Sequence, residues 1–226
     1  MLKADNIERA SLLNKVSLLG YNARENKDGM HVGRKIKMTE KKFNPDKAHI
    51  LMSEDRKNLL QPDNLLEHLN VQKYDVIADL GAGTGFFTIP AAKRTQEKVY
   101  AVDIEPKMLG LLKENANKEN IENIHYVESD LDQIKLADKS VNKVIISHVM
   151  HEVPSVDRTI NEIKRILQQE GQMLVVEWEA IETESGPPHH IRIPSTEMKD
   201  ILEKAGFDAE IIPIKQANYA VKAVLN

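Results

Sequence analysis

The chain is predicted to fold as an α/β protein, a doubly wound, mainly parallel sheet of seven strands with an antiparallel last strand. Three observations carry that prediction. From Ser53 onward, short apolar runs alternate with segments of helical period. The first such run, Val76-Ile-Ala-Asp79-Leu, empties into a glycine-spaced turn, Gly81-Ala-Gly83-Thr-Gly85-Phe86. The last two apolar runs are separated by only a short Gln-Ala-Asn turn, which suits an antiparallel pair closing the sheet.

Each element has its own justification. Ser53 is a suitable N-cap for a helix through Leu60, and Pro62 opens a second ending near Leu69. Asp75–Leu80 reads as a strand, Thr84–Lys93 as a helix and Lys98–Asp103 as a strand. Pro106 suits the first turn of a helix reaching about Lys118, with Met108, Leu109, Leu112 and Ala116 facing inward. Ile124–Glu128 and Val141–Ser147 read as strands. Ser155 caps a helix whose Ile160, Ile163 and Leu167 keep the 3.6 period until Gly171. Gln172–Glu177 is the next strand. Ser195 starts a helix stopped by Gly206, and Ala209–Ile214 and Tyr219–Val224 form the closing pair.

Composition bounds the rest. A chain of 226 residues, 41% hydrophobic and 29% charged, is long enough for one complete α/β core. Its net charge of −4 disfavours a nucleic-acid binder. It has no cysteine, which removes disulfides, thiolate metal sites and a cysteine nucleophile. The N-terminus is too charged for a secretory segment and no apolar run approaches a membrane span, so a cytoplasmic protein without a membrane partner is expected. Residues 1–45 read as a separate piece, a helix carrying Ile7, Leu12, Leu13, Val16 and Leu19 followed by a basic loop. Residues 34–47 hold six Lys or Arg against two acids. This piece is a candidate lid or homodimer contact, and residues 46–226 form the main domain.

The glycine turn is where function first speaks. Glycines at a strand-to-helix turn admit positive φ and close ligand approach beyond the strand ends. The dinucleotide fingerprint fails, because its third glycine falls on Phe86. A P-loop is excluded as well, since no Gly-Lys-Ser/Thr follows. What remains is Asp79-x-Gly81-x-Gly83-x-Gly85, with Asp103 ending the second strand and Asp130 following the third.

These motifs resemble those of the class I S-adenosylmethionine-dependent methyltransferases. The first is Asp79-Leu-Gly81-Ala-Gly83-Thr-Gly85, the second Val99-Tyr-Ala-Val-Asp103-Ile104-Glu-Pro-Lys-Met108-Leu109, the third Glu128-Ser-Asp130-Leu131. The similarity runs over residues 43–226 and is nearest the small-molecule enzymes, including the quinone-biosynthesis C-methyltransferase type. It implies a Rossmann-like methyltransferase fold with S-adenosyl-L-methionine as cofactor. Asp103 would accept the ribose hydroxyls, Ile104 cover the adenine and Asp130 take its exocyclic amine. Asp79 would help hold the methionine ammonium, and Ala82, Thr84, Met108, Leu131 and Ser147 complete the cofactor set.

After the fourth strand comes Ser147-His148-Val-Met-His151-Glu152, which the resemblance sets at the reactive end. The Asn/Asp-Pro-Pro-aromatic tetrapeptide of nucleic-acid amino-methyltransferases is missing there. His148 and His151 are the first candidates for a base, with His148 preferred as catalytic and His151 assigned to the acceptor side. A metal site is not expected, because the spacing matches neither His-Glu-x-x-His nor its inversion. Trp178, His189 and His190 are candidates for the acceptor pocket; Phe43, His49 and Arg56 are weaker ones. The acceptor is expected to be a small molecule. The lack of cysteine argues against a thiol-dependent arsenite mechanism. Two alternatives stay open: a nicotinamide-dependent oxidoreductase, and a non-catalytic methyltransferase-like binding protein.

Overall fold

The structure is a computed structural model and describes residues 51–184 and 186–226. The N-terminal piece 1–45, with Phe43, and also His49, lies outside the described residues. The described residues include, before the first strand, two short helices, α1 (Glu54–Leu60) and α2 (Pro62–Glu67). Ser53 caps α1 by accepting the Arg56 N–H, a contact whose loss costs about 1 kcal/mol. The left-handed Gln61 ends α1, and Pro62 sits in the first turn of α2.

Alternation then sets in: β1 (Ile77–Leu80), α3 (Thr88–Ala92), β2 (Val99–Asp103), α4 (Pro106–Lys118), β3 (Ile124–Glu128) and β4 (Val141–Ser147). They are followed by α5 (Val156–Ile166), β5 (Leu167–Trp178), a 3-10 turn (His189–Ile191), α6 (Ser195–Lys204), β6 (Phe207–Pro213) and β7 (Asn218–Leu225). The seven strands form one sheet in the order β3-β2-β1-β4-β5-β7-β6. The first five run parallel, and β7 lies antiparallel between β5 and β6. The doubly wound, mainly parallel sheet expected from the sequence is therefore the observed one.

Strand alternation divides the core into two layers. Ile77, Val99, Ala101, Ile145, Leu174 and Val176 pack with residues of α1 to α4 on one face. Ala78, Leu80, Val144, Ile146, Met173 and Val175 pack with α5 and α6 on the other. Two-residue spacing puts Asp79 and Asp103 on the first of these faces, at neighbouring strand ends. The order reverses between β1 and β4, so the crevice beyond their carboxyl ends is where a ligand belongs.

Some boundaries differ from the sequence expectation. The helix after the glycine turn starts at Thr88 rather than Thr84, because Gly81, Gly83 and Gly85 all adopt positive φ and keep the chain in turns. The helix expected to run to Gly171 ends at Ile166, and Leu167 is already paired with Val141 in the sheet. Gly171 falls inside β5, where a Cβ would meet the Gln168 carbonyl oxygen at 2.7 Å.

Candidate active site

The site begins at the turn leaving β1. At Gly81 φ is +73°, and a Cβ there would stand 2.4 Å from Val149 Cγ2, so only glycine fits beneath the loop following β4. Gly83, at φ +53°, would meet nothing closer than Leu51 and Met108 at ordinary contact distance. Its N–H donates to Asp103 Oδ2 at 2.8 Å, while the Glu105 N–H donates to Oδ1 at 2.9 Å. Asp103 thus ties the turn after β1 to the start of α4. Burial raises the Asp103 carboxyl above its usual range, partly offset by those two N–H groups.

Asp79 is only 2% exposed. It accepts from Thr88 Oγ1 at 2.5 Å, the first residue of α3. Burial pushes its carboxyl up to about 7; the Thr88 hydroxyl opposes this and the Asp103 charge adds to it. Thr84 Oγ1, in the same turn, is buried without a hydrogen-bond partner.

Beyond β2 and β3 lies an open cavity of about 580 Å³ lined by Ile104, Ser129, Asp130 and Gln133 among others. Ile104 is 37% exposed, a large apolar side chain left to solvent directly after the buried Asp103. Asp130 is exposed at the cavity wall and Leu131 is partly buried. Ser129 Oγ bonds the carbonyls of Asp130 and Gln133 and accepts the Lys135 N–H, which fixes the loop after β3.

At the end of β4 the chain turns through His148 at φ +57°, its N–H bound to Val176 O at 2.7 Å. Both ring nitrogens are engaged. Nδ1 lies 3.2 Å from Arg56 Nη2 and 3.1 Å from Ser147 Oγ; Nε2 lies 2.9 Å from Asn218 Oδ1. A guanidinium only donates, and Asn218 Nδ2 already donates to Gln216 O. These bonds assign Nδ1 as acceptor and Nε2 as the protonated nitrogen. Burial and the Arg56 charge lower the His148 pKa to about 4, against weaker opposition from Glu177 and Asn218. The imidazole is neutral.

His151 forms a second cluster. Its Nδ1 sits 3.0 and 2.8 Å from the two oxygens of Glu177, and Nε2 is 3.7 Å from Glu152 Oε1. Glu177 is 1% exposed. Burial alone would raise its carboxyl, but the hydrogen bond and charge of His151, with the Trp178 N–H, hold it below its ordinary value. Next along β5, Trp178 packs against His148 at 5.5 Å between ring centroids and under Arg192 at 5.2 Å. Arg192 also gathers Pro187 O, Ile181 O and Thr183 Oγ1, which folds the loop after β5 around the indole. Trp178 lines a cavity of about 300 Å³ with Leu59, Ile181 and Gln216. His189 and His190 are exposed outside both cavities, with His189 Nε2 bonded to Ala180 O.

Comparison with known proteins shows what the chain is similar to. A model described as a methyltransferase domain matches residues 78–175, from β1 into β5. Over 154 residues the chain is 28% identical to an arsenite methyltransferase of Halobacterium salinarum, covering 62% of this chain and 39% of that protein. Over 107 residues it is 32% identical to the ubiquinone/menaquinone biosynthesis C-methyltransferase UbiE of Brucella abortus, covering 46% and 40%. The crystal structure of a SAM dependent methyltransferase from Aquifex aeolicus aligns with TM-score 0.76 and 26% identity, over 82% of this chain and all of that one. These matches support a class I S-adenosylmethionine-dependent methyltransferase. The chain spans less than half the length of either curated relative.

S-adenosylmethionine is the cofactor that the matched methyltransferase domain and the fold imply, and the residues present fit it. The glycine turn offers close backbone approach, and Ile104, next in sequence to Asp103, borders the large cavity with Asp130. The orphaned Thr84 hydroxyl and the under-compensated Asp79 leave polar capacity in the turn. Among the described residues no group of His, Asp and Glu is arranged to hold a metal ion.

Sequence reasoning passed over two partners and underweighted a third. Asn218 read as a turn residue and carried no signal, since its role depends on β7 returning beside β5. Glu177 had one: a carboxylate at the end of the apolar run Met173-Leu-Val-Val176 implies a buried partner. Arg56 stood among other charges on a short helix, and only tertiary packing over the Phe86 ring, at 4.8 Å, distinguishes it.

Proposed function

We propose that this protein transfers a methyl group from S-adenosylmethionine to a small-molecule acceptor by direct displacement. The observation that carries the reading is the Asp103 clamp: one buried carboxylate binds the glycine turn and the start of α4, beside a cavity bordered by Ile104 and Asp130. When bound, S-adenosylmethionine supplies a sulfonium-activated methyl carbon that an acceptor lone pair displaces in line, leaving a thioether.

The chain's own residues then do three things. Asp103, Ile104 and Asp130 hold the nucleoside, and Asp79 with the glycine turn receives the amino-acid end. Met108 and Ser147 flank that space, with Ala82 and Leu131 completing its walls. His148 is a positioning residue in this reading: its Nδ1 lone pair is taken by Arg56 and its Nε2–H by Asn218, so neither ring nitrogen is free to accept a proton from an acceptor. His151 is the group we assign to accept a proton from an acceptor that carries one, oriented by Glu177 as a carboxylate orients a catalytic imidazole. Trp178 shapes the acceptor side.

The nicotinamide reading is weaker, because the Phe86 ring lies under Arg56 and against Phe87 where the dinucleotide fingerprint needs glycine. Among the described residues no helix is long and apolar enough to cross a membrane. The test is release of S-adenosylhomocysteine from S-adenosylmethionine in the presence of a panel of phenols, quinols, thiols and amines. Acceptor-dependent release supports the reading. Tight cofactor binding with no release for any acceptor favours the non-catalytic alternative.

A further inference from the structure

Arg56 differs from several partly buried cations of this molecule that face a carboxylate. Arg165 is answered by Glu162 and Asp138, Arg94 by Asp63, and Lys143 by Asp75. Among the described residues no carboxylate pairs with Arg56. Its polar partner is a neutral imidazole, His148 Nδ1 at 3.2 Å, and its flat face lies over the Phe86 ring at 4.8 Å. Burial lowers its pKa to about 10, so it keeps its charge at neutral pH.

That choice of partner matters. A carboxylate would orient the guanidinium but also neutralise it. A neutral histidine, locked by Asn218 through its other nitrogen, orients the fork and leaves the full positive charge unspent. Removing a cation from water without a counter-ion is costly unless a ligand completes it. Both contacts of Arg56, Phe86 after the glycine turn and His148 after β4, lie at the carboxyl ends of adjacent strands, in the ligand crevice.

We infer that Arg56 is the anion receptor of this site, its planar fork taking a carboxylate at the reactive end. The carboxylate comes from the methionine end of the cofactor or from an acidic acceptor; the chemistry recognised is the same. The inference rests on the cofactor reading above. His148 and Asn218 are then positioning residues acting through Arg56.

Calorimetry on the full chain separates the sources. S-adenosylhomocysteine and 5′-methylthioadenosine share the nucleoside and thioether, but the second lacks the amino-acid end. If the cofactor supplies the anion, Arg56→Met weakens S-adenosylhomocysteine at least tenfold and leaves methylthioadenosine within twofold, while Arg56→Lys recovers part of the loss. If the acceptor supplies it, both nucleosides bind Arg56→Met normally. Benzoate then raises the melting temperature of the wild type, with or without S-adenosylhomocysteine, benzamide does not, and the benzoate effect disappears in Arg56→Met. Equal weakening of both nucleosides marks a structural residue and overturns the inference. So does unchanged nucleoside binding with no benzoate effect. A wild type that binds neither nucleoside sinks the cofactor reading instead, and the benzoate arm still decides the role of Arg56.

Discussion

Asp79 concentrates the electrostatics of the site in one residue. A carboxyl raised to about 7 holds its proton in the native state while the unfolded chain, near 3.8, has lost it. Stability of the ligand-free protein therefore falls as pH rises through that window and levels off above it. Asp79→Asn removes this slope, which urea titrations between about pH 4 and about pH 8 detect. The same ionisation favours a cationic ligand group, so S-adenosylhomocysteine should bind more tightly as pH rises towards 7 in the wild type. In Asp79→Asn the affinity is lower and nearly flat with pH over that range. A pH-independent wild type would mean that the ammonium is held elsewhere.

His151 makes a second prediction at the same scale. For an acceptor that carries a proton, His151→Asn should lower kcat by about 10² or more. The dissociation constant of S-adenosylhomocysteine should stay within twofold, because the assigned role lies on the acceptor side. Loss of cofactor binding in this variant would contradict the assignment.

At the scale of elements, the turn between β1 and α3 is held from above and below. Val149 closes over Gly81, and Leu112 with Ile89 closes on Gly85. Gly81→Ala meets both a positive φ and a clash, with an expected cost of about 1–3 kcal/mol and weaker nucleoside binding. Adding Val149→Ala should relieve the clash but not the backbone strain, so recovery is partial; thermal melts of the single and double variants check this. Full recovery would show that sterics alone forbid a side chain there. This turn was legible because glycine spacing has few structural explanations. Its consequence for the next helix was less so: Thr84, Phe86 and Phe87 carry ordinary side chains, yet three positive-φ glycines delay α3 to Thr88. The early start of β5 was hidden for a different reason. Leu167 fits the helical period of α5, and pairing with Val141, 26 positions away in sequence, overrides it.

Across the whole molecule, the sheet order and both core layers follow from local pattern, since each strand carries its own apolar alternation and each helix its own stripe. The Arg56–His148–Asn218 chain was not legible. It joins α1, the end of β4 and the start of β7, residues separated by 92 and 70 positions that only the completed sheet brings together. Cofactor binding couples to global stability in turn. At a ligand concentration about 100 times its dissociation constant, S-adenosylhomocysteine should add about 2.7 kcal/mol, a rise in melting temperature of several degrees.

The most direct test of the account is calorimetric titration of wild type and Asp103→Ala with S-adenosylhomocysteine. Wild type should bind with one-to-one stoichiometry, and the variant, without the acceptor for Gly83, Glu105 and the nucleoside, should bind at least tenfold more weakly. Equal affinity in the two proteins, or no binding by the wild type, would contradict it.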